Sequence, residues 1–221
     1  MRTAIILFAK APLAGHVKTR LQEWLGIDAT LALHEAFVLD TLEKLVTLGD
    51  FADIELHTDI KTDVWRCPRV TVREQSAGDL GLKMLHALSA GLTERRETVC
   101  IVGSDAPTLP ADHLHTLLTS PADVALGPCE DGGYYAIACR RTHSEMFRGV
   151  EWSSAVTLAQ TEQSARRCGL SVERGPSWYD IDVPDDLLRL SRDKNLTPRT
   201  ARWFRNTKIG CWPPNQPTTD N

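Results

Sequence analysis

Residues 3–9 read TAIILFA, and residues 10–21 read KAPLAGHVKTRL. The first stretch is an unbroken run of apolar and β-branched side chains, which is typical of a strand covered on both faces in a parallel sheet. The second carries three cations, Lys10, Lys18 and Arg20, and no carboxylate. In an open α/β sheet, the loop after the first strand is a usual site for phosphate groups. Together the two stretches predict an α/β fold that binds an anion near the start of the chain.

This basic loop differs from two common phosphate-binding motifs. A Walker A loop requires Gly directly before Lys, whereas His16 and Val17 separate Gly15 from Lys18. The loop also lacks the G-x-G-x-x-G pattern of dinucleotide-binding proteins. A solvated basic loop that caps a helix remains an alternative, but the position and the charge of the loop favour a bound diphosphate.

Beyond the loop, short apolar runs alternate with segments of helical period. This pattern predicts a mostly parallel central sheet with helices on both faces. Strands are expected at 53–58, 70–74, 98–103, 123–127, 134–139 and near 170–174. Helices are expected at 29–48, 79–95, 111–119, 153–168 and 185–192. One domain is therefore predicted over 1–195, followed at 196–221 by a basic, Pro-containing extension whose aromatic side chains indicate that part of it packs on the domain.

Composition narrows the class of protein further. A chain of 221 residues with 42% hydrophobic residues can bury a large core without disulfides. Its six cysteines form no C-x-x-C pair, so neither a zinc framework nor a thioredoxin-like motif is expected. The net charge of -4 disfavours nucleic acid as a partner. Because the first apolar run is too short for a membrane span or a signal segment, we expect a cytoplasmic protein.

Two acidic segments at predicted strand ends are candidates for binding a metal ion. Asp105 follows the strand at 98–103, where one carboxylate would bridge Mg²⁺ or Mn²⁺ to a phosphate. Asp180 and Asp182 occupy alternate positions of an extended segment and so face the same way. The alternative for Asp105 and for Asp182 is an N-cap of the helix that follows. The sequence alone leaves these interpretations open.

A third acidic segment, Asp131-Gly132-Gly133, connects two predicted strands. Paired glycines permit close approach of a ligand to the backbone, and the carboxylate could hold a hydroxyl group or act as a base. A plain hairpin turn is the alternative, because Asp-Gly is a common hairpin signal. No G-x-S-x-G motif is present, which disfavours hydrolysis by a covalent triad.

Six motifs follow one another in a fixed order along the chain: F-A-K-A-P-x-x-G-x-V-K-T-R-L at 8–21, G-D-L-G at 78–81, G-S-D-A-P-x-L at 103–109, L-G-P-x-x-D-G-G-Y-Y at 126–135, V-x-W-S at 150–153 and D-I-D-x-P-x-D-L at 180–187. This order resembles a bacterial family of small type-A glycosyltransferases, which includes the arsenosugar-biosynthesis type and the nucleotide-diphospho-sugar transferases. This family is related to the guanylyltransferases that act on molybdenum cofactor and on phospholactate. The resemblance extends over residues 3–190.

The resemblance implies a Rossmann-like nucleotide-diphospho-sugar transferase fold, a Mg²⁺ or Mn²⁺ ion, and roles for individual residues. Nucleotide-binding residues would be Lys10, Pro12, Gly15, Lys18, Arg20, Gly78 and Asp79. Sugar- or acceptor-binding residues would be Asp131, Gly132, Gly133, Trp152 and Ser153. Metal ligands would be Asp105, Asp180 and Asp182, and the catalytic residues would be Asp131 and Lys18. Two positions depart from the pattern: Leu82 stands where an acid is expected, and Val183 stands where Thr is usual.

Three functions fit these expectations. The first is metal-dependent transfer of a sugar from a nucleotide diphosphate to a small acceptor. The second is nucleotidyl transfer, in which a phosphorylated small molecule attacks an NTP and pyrophosphate leaves. The third is binding of a nucleotide without catalysis. Loss of Lys18 or Arg20 is expected to weaken nucleotide binding by about 1.5–3 kcal/mol each, because charge-assisted hydrogen bonds are lost.

Overall fold

The computed structural model describes residues 3–65, 67–94 and 96–207. In these residues the strands are β1 (Thr3–Ala9), β2 (Ala52–Thr58), β3 (Thr71–Glu74), β4 (Thr98–Gly103), β5 (Val124–Pro128), β6 (Tyr134–Cys139) and β7 (Val172–Arg174). They form one sheet in the order β3-β2-β1-β4-β6-β5-β7. β6 runs antiparallel to β4 and to β5, and the other strand pairs are parallel. The mostly parallel α/β fold expected from the sequence is confirmed.

The helices agree with the expected positions except near the basic loop, at the start of α5 and at the end of the described chain. They are α1 (Thr19–Leu25), α2 (Ile27–Val46), α3 (Leu80–Thr93), α4 (Ala111–Thr119), α5 (Thr157–Arg167), α6 (Pro184–Ser191) and α7 (Pro198–Asn206). Helix α1 was not expected, because seven residues carry too little periodicity to be recognised. Helix α5 begins four residues later than expected, after a turn in which Ser153 has a φ of 58°.

Alternate residues of the central strand β1 pack on opposite faces of the sheet. Ile5 and Leu7 belong to one buried apolar cluster, whereas Ala4 and Ile6 belong to a second one on the opposite face. This two-sided burial is what the unbroken apolar run predicts. Within the described ranges, no helix is long and apolar enough to cross a membrane.

The pairing of the central strands fixes where their connecting loops emerge. Ala9 lies beside Thr58 of β2, and Phe8 lies beside Gly103 of β4. The loops that follow these three strands therefore leave the sheet at the same edge. In parallel α/β sheets this edge is where ligands bind.

The first part of the C-terminal extension forms α7, which packs on α2. Trp203 is buried and donates a hydrogen bond from its indole N–H to the Ala29 carbonyl at 2.9 Å. The extension thus packs on the domain through the aromatic side chain of Trp203, as the sequence predicted. Residues 208–221, which include the basic Lys208 and the aromatic Trp212, lie outside the described residues. The division of the chain at 195/196 remains a proposal.

Replacement of Asp40 by alanine should destabilise the fold by about 2 kcal/mol, because it leaves buried N–H groups without an acceptor. The Asp40 side chain is fully buried on α2. It accepts hydrogen bonds from the backbone N–H groups of Arg199 at 3.1 Å and of Thr200 at 2.8 Å, at the first turn of α7. Urea unfolding of the full chain measures the difference.

The matched control is Glu43→Ala on the same helix. Glu43 also pairs with Arg199, but its side chain is 62% exposed, so the loss should be under about 0.5 kcal/mol. Equal stability of Asp40→Ala and the wild type would show that α7 does not depend on this cap.

Candidate active site

An open cleft of about 650 Å³ lies at the sheet edge where β1, β2 and β4 end. Its walls come from the basic loop after β1, the loop after β4, the β5–β6 hairpin and the segment before α6. The sequence-predicted residues that line it are Lys10, Lys18, Arg20, Asp105, Asp131, Gly133, Trp152, Ser153, Asp180 and Asp182. The fold therefore brings the basic loop and four of the five predicted acids into one cavity.

The other predicted residues, Pro12, Gly15, Gly78, Asp79 and Gly132, are not among those that line the cleft. Two of them have clear structural roles. The Asp79 carboxylate caps α3 by accepting a hydrogen bond from the Leu82 N–H at 2.9 Å. Gly132 has a φ of +92°, and a Cβ placed there would lie 2.1 Å from the Ala155 carbonyl oxygen. Only glycine allows this close packing of the hairpin.

Lys18 lies at the centre of the charged groups in the cleft. Its Nζ is 2.9 Å from Asp105 Oδ1 and 3.3 Å from Asp182 Oδ1, and it donates a hydrogen bond to the Ile181 carbonyl. Only 4% of the side chain is exposed. Burial alone would lower the pKa of Lys18, but the two carboxylates outweigh it and hold the pKa above its usual value. Lys18 is therefore a fixed, buried positive charge between two acids.

The backbone places Asp105 and Asp182 on either side of this lysine. The Ile181 N–H donates a hydrogen bond to the Asp105 carbonyl at 2.9 Å, which joins the loop after β4 to the segment before α6. The two carboxylates remain 44% and 39% exposed. Burial would raise the pKa of Asp105, but the Lys18 ammonium outweighs it and lowers the pKa. Asp105 is thus charged at neutral pH and accessible from the cleft.

The N-cap interpretations of both acids are wrong. Helix α4 begins after Pro110, five residues beyond Asp105. At α6 the N-cap is Val183, and the carboxylate that accepts from the backbone belongs to Asp186. Neither Asp105 nor Asp182 is therefore needed to cap a helix.

The hairpin interpretation of the Asp131-Gly132-Gly133 segment is confirmed, because β5 and β6 pair antiparallel on either side of it. The turn also faces the cleft through Asp131 and Gly133. The Asp131 carboxylate accepts a hydrogen bond from the Gly133 N–H at 2.8 Å, which orients the side chain. The segment is therefore both a hairpin turn and part of the candidate site.

Asp180 has the most perturbed carboxyl group of the cleft. Burial raises its pKa to about 7, and the neighbouring carboxylates of Asp131 and Asp182 add to the shift. Asp131, Asp180 and the buried Cys129 bring their side-chain ligand atoms within 4.8 Å of one another. Lys18 forms its ion pairs with Asp105 and Asp182 and not with this cluster, but its charge lowers the pKa of Asp180.

Several residues of the cleft were missed by sequence analysis. Asp59 and Gln75 follow β2 and β3, and the Asp59 carboxylate accepts a hydrogen bond from the Ala11 N–H at 2.6 Å. Because ligands bind where parallel strands end, the position of Asp59 and Gln75 directly after a strand could have identified them as cleft residues. His34 is buried in α2 and bonds through Nε2 to the Lys10 carbonyl at 2.9 Å. Nothing in its helical sequence context marks it as a cleft residue.

Comparisons with known proteins identify the family and the fold of the chain. The family described as uncharacterized proteins conserved in bacteria (DUF2064) matches residues 41–154. A Desulfovibrio desulfuricans G20 structure, provisionally described as a nucleotide-diphospho-sugar transferase, is similar with 30% identity and a TM-score of 0.83. The alignment covers 92% of this chain and 94% of that one.

Two further proteins are similar, one in sequence over about half of the chain and one in fold. A 2-phospho-L-lactate guanylyltransferase of Methanosarcina barkeri (strain Fusaro) is 33% identical over 107 residues, which are 47% of this chain. The chain spans about half, 50%, of the length of that curated relative. The 2-C-methyl-D-erythritol 4-phosphate cytidylyltransferase of Thermus thermophilus shares the fold at 15% identity, with a TM-score of 0.51 over 86% of this chain and 96% of that one.

The family resemblance expected from the motifs is thereby confirmed, including its relation to a phospholactate guanylyltransferase. The family model covers more than half of the chain, from within α2 to the turn before α5. The chain belongs to the DUF2064 family and has the Rossmann-like fold of the nucleotide-diphospho-sugar transferases and nucleotidyltransferases.

Proposed function

We propose that the protein is a metal-dependent transferase that moves a sugar from a nucleotide diphosphate donor to a small acceptor. The observation that carries the proposal is Lys18, a buried ammonium that joins the basic loop to Asp105 and Asp182 at the edge where the strands end. A diphosphate is bound by positively charged groups, and a divalent cation is bound by carboxylates. The cleft supplies both kinds of group next to each other. The 30% identity to a protein provisionally described as a nucleotide-diphospho-sugar transferase supports the choice of reaction.

The donor diphosphate is bound by the basic loop in this proposal. Lys10 and Arg20 are exposed at the mouth of the cleft, and Lys18 lies at its floor. Three ammonium or guanidinium groups on one loop provide charge-assisted hydrogen bonds to phosphate oxygens. They also stabilise the negative charge that develops on the leaving diphosphate.

The carboxylates of the cleft fit a divalent cation. Mg²⁺ and Mn²⁺ prefer oxygen ligands, and a protein normally supplies one or two carboxylates while substrate oxygens and water complete the shell. Asp105 and Asp182 would hold the ion, with Asp180 as the third acid that the sequence assigns to it. When bound, the ion neutralises charge on the donor diphosphate.

The transfer step joins the acceptor to the sugar. An acceptor hydroxyl oxygen forms a bond to the anomeric carbon as the bond from that carbon to the diphosphate oxygen breaks. The hydroxyl proton passes to the Asp131 carboxylate, and the nucleoside diphosphate leaves with the bonding electron pair. Gly133, Trp152 and Ser153 line the same cleft and would contact the sugar or the acceptor.

Nucleotidyl transfer is the second candidate function. The observation that favours it is the 33% identity to a guanylyltransferase over 107 residues. The same cations and acids would then bind an NTP, and a substrate phosphate would attack its α-phosphorus and release pyrophosphate. A protein that binds nucleotides without catalysis is the remaining alternative from the sequence.

Product analysis tests the proposal. The full chain is incubated with UDP-, GDP-, CDP- and TDP-sugars and a panel of small acceptors, or with NTPs and phosphorylated acceptors, each with and without Mn²⁺. Release of a nucleoside diphosphate with formation of a glycosylated acceptor supports glycosyl transfer. Release of pyrophosphate instead identifies the second function, and nucleotide binding with no product from either panel contradicts both.

A further inference from the structure

Cys129 has no part in the proposed transfer reaction, but its thiol lies beside Asp131 and Asp180, which that reaction uses as the proton acceptor and as a metal ligand. One ligand atom from each, the thiol sulfur and two carboxylate oxygens, lies within 4.8 Å of the others. Cys129 directly follows β5, Asp131 lies in the hairpin turn, and Asp180 lies in the segment before α6. The hairpin and a distant segment of the chain thus meet at one point.

The thiol of Cys129 is buried beside these two acids. The residue is 7% exposed, and its Sγ is one of the three clustered ligand atoms. Cys100, by comparison, donates a weak S–H hydrogen bond to a carbonyl. A buried thiol beside two carboxylates is an unusual environment, because sulfhydryl groups without a function behave as small apolar side chains.

No cationic side chain among the described residues is in ion-pair contact with either carboxylate of the cluster, although the charge of Lys18 lowers the pKa of Asp180. Lys18 contacts Asp105 and Asp182, and the described residues contain no ion pair to Asp131 or to Asp180. Two carboxylates this close repel each other, and burial of Asp180 makes the repulsion more costly. A bound cation relieves this repulsion.

We propose that Cys129, Asp131 and Asp180 form a second cation site, which shares Asp180 with the site proposed for the donor and prefers a thiophilic divalent ion such as Zn²⁺ to Mg²⁺. Sulfur is a soft ligand that favours Zn²⁺ and Co²⁺, whereas Mg²⁺ takes oxygen ligands almost exclusively. One sulfur and two oxygens make three protein ligands, which leaves a fourth tetrahedral position open. An open position is characteristic of catalytic rather than structural zinc sites.

The surroundings hold the three ligands in place. Cys129 pairs through its backbone with Trp178, and the Cys129 N–H donates to the Gly133 carbonyl at 3.0 Å. The neighbouring Glu130 forms a two-point ion pair with Arg189 of α6, at 2.6 and 3.0 Å. The hairpin turn and the segment that carries Asp180 are therefore tied together independently of any ion.

Binding of Co²⁺ to the full-length, nucleotide-free protein tests the inference. Cobalt substitutes for zinc, and a Co²⁺–thiolate bond gives a charge-transfer absorption in the near ultraviolet. We expect one equivalent of Co²⁺ to produce this absorption in the wild type and excess Zn²⁺ to abolish it. Excess Mg²⁺ should leave the absorption unchanged. Because no nucleotide is present, the result does not depend on the proposed transfer reaction.

Two variants locate the ligands. Cys129→Ser should lose the absorption entirely, whereas the matched control Cys168→Ser, at a half-buried thiol at the end of α5, should keep it. Asp180→Asn should weaken Co²⁺ binding by about tenfold or more, since an amide oxygen is a poorer ligand than a carboxylate. Circular dichroism confirms that each variant is folded.

Three results would overturn the inference: no charge-transfer absorption in the wild type, the same absorption in Cys129→Ser, or displacement of Co²⁺ by millimolar Mg²⁺.

The variant Asp105→Asn distinguishes this site from the metal site proposed for the donor. Asp105→Asn should retain the absorption. Loss of the absorption in a folded Asp105→Asn protein would show that the acids form a single site, which contradicts a second one.

Discussion

Replacing Lys18 by alanine should lower nucleotide affinity by about 10- to 100-fold, which corresponds to the loss of charge-assisted hydrogen bonds worth about 1.5–3 kcal/mol. The catalytic efficiency of transfer should fall further, by about 100- to 1,000-fold, because one positive group facing the leaving diphosphate is removed. Lys18 is suited to this role because it is buried and held by Asp105 and Asp182 at a fixed position. Calorimetric titration and steady-state kinetics measure the two effects.

Arg20→Ala, in the first turn of the helix α1 that directly follows Lys18, is the comparison variant. Arg20 is 62% exposed and contacts Asp182 at 3.5 Å, so its guanidinium is less fixed and its loss should weaken binding less than the loss of Lys18. The fold should survive Lys18→Ala, since Asp105 and Asp182 reach solvent and remain hydrated. Unchanged nucleotide affinity in both variants would contradict a phosphate-binding role for the loop.

Replacing Asp105 by asparagine should abolish the tightening of nucleotide binding by Mg²⁺ or Mn²⁺. The amide keeps the shape of the side chain but removes the charge that the cation requires. In the wild type, metal and nucleotide should bind cooperatively, because the proposed ion contacts both the carboxylates and the diphosphate. Calorimetric titration of nucleotide with and without Mn²⁺ measures this coupling directly and does not require an identified acceptor.

The control for this experiment is Asp112→Asn, an exposed acid in the first turn of α4 that is not part of the cleft lining. It should retain the full effect of Mn²⁺. Asp105→Asn should still fold, because Asp182 remains as a carboxylate partner of the buried Lys18, but it should unfold at a lower urea concentration than the wild type, since the ion pair between Asp105 and Lys18 is lost. If Mn²⁺ enhanced nucleotide binding equally in Asp105→Asn and in the wild type, the cation would lie elsewhere in the cleft.

Much of the fold could be predicted from local patterns. The apolar run TAIILFA indicates a strand buried on both sides, and Ile5 and Ile6 indeed pack into different clusters. Turn-forming residues mark where strands end, so the candidate acids Asp105 and Asp182 could be identified as neighbours of one sheet edge. These features can be predicted because each is determined by a few residues that are close together in the chain.

The sequence by itself determined the α/β class, the succession of strands and helices along the chain and the types of charged groups available for a site. Only the tertiary structure decided which charges meet. Lys18 and Asp182 are 164 residues apart in sequence, yet their side chains are in contact, and Cys129 joins two acids that come from different segments. Such contacts depend on how the strands pair and how the loops fold over the sheet edge. Local propensity contains no information about those long-range distances, because they are set by the packing of the whole core.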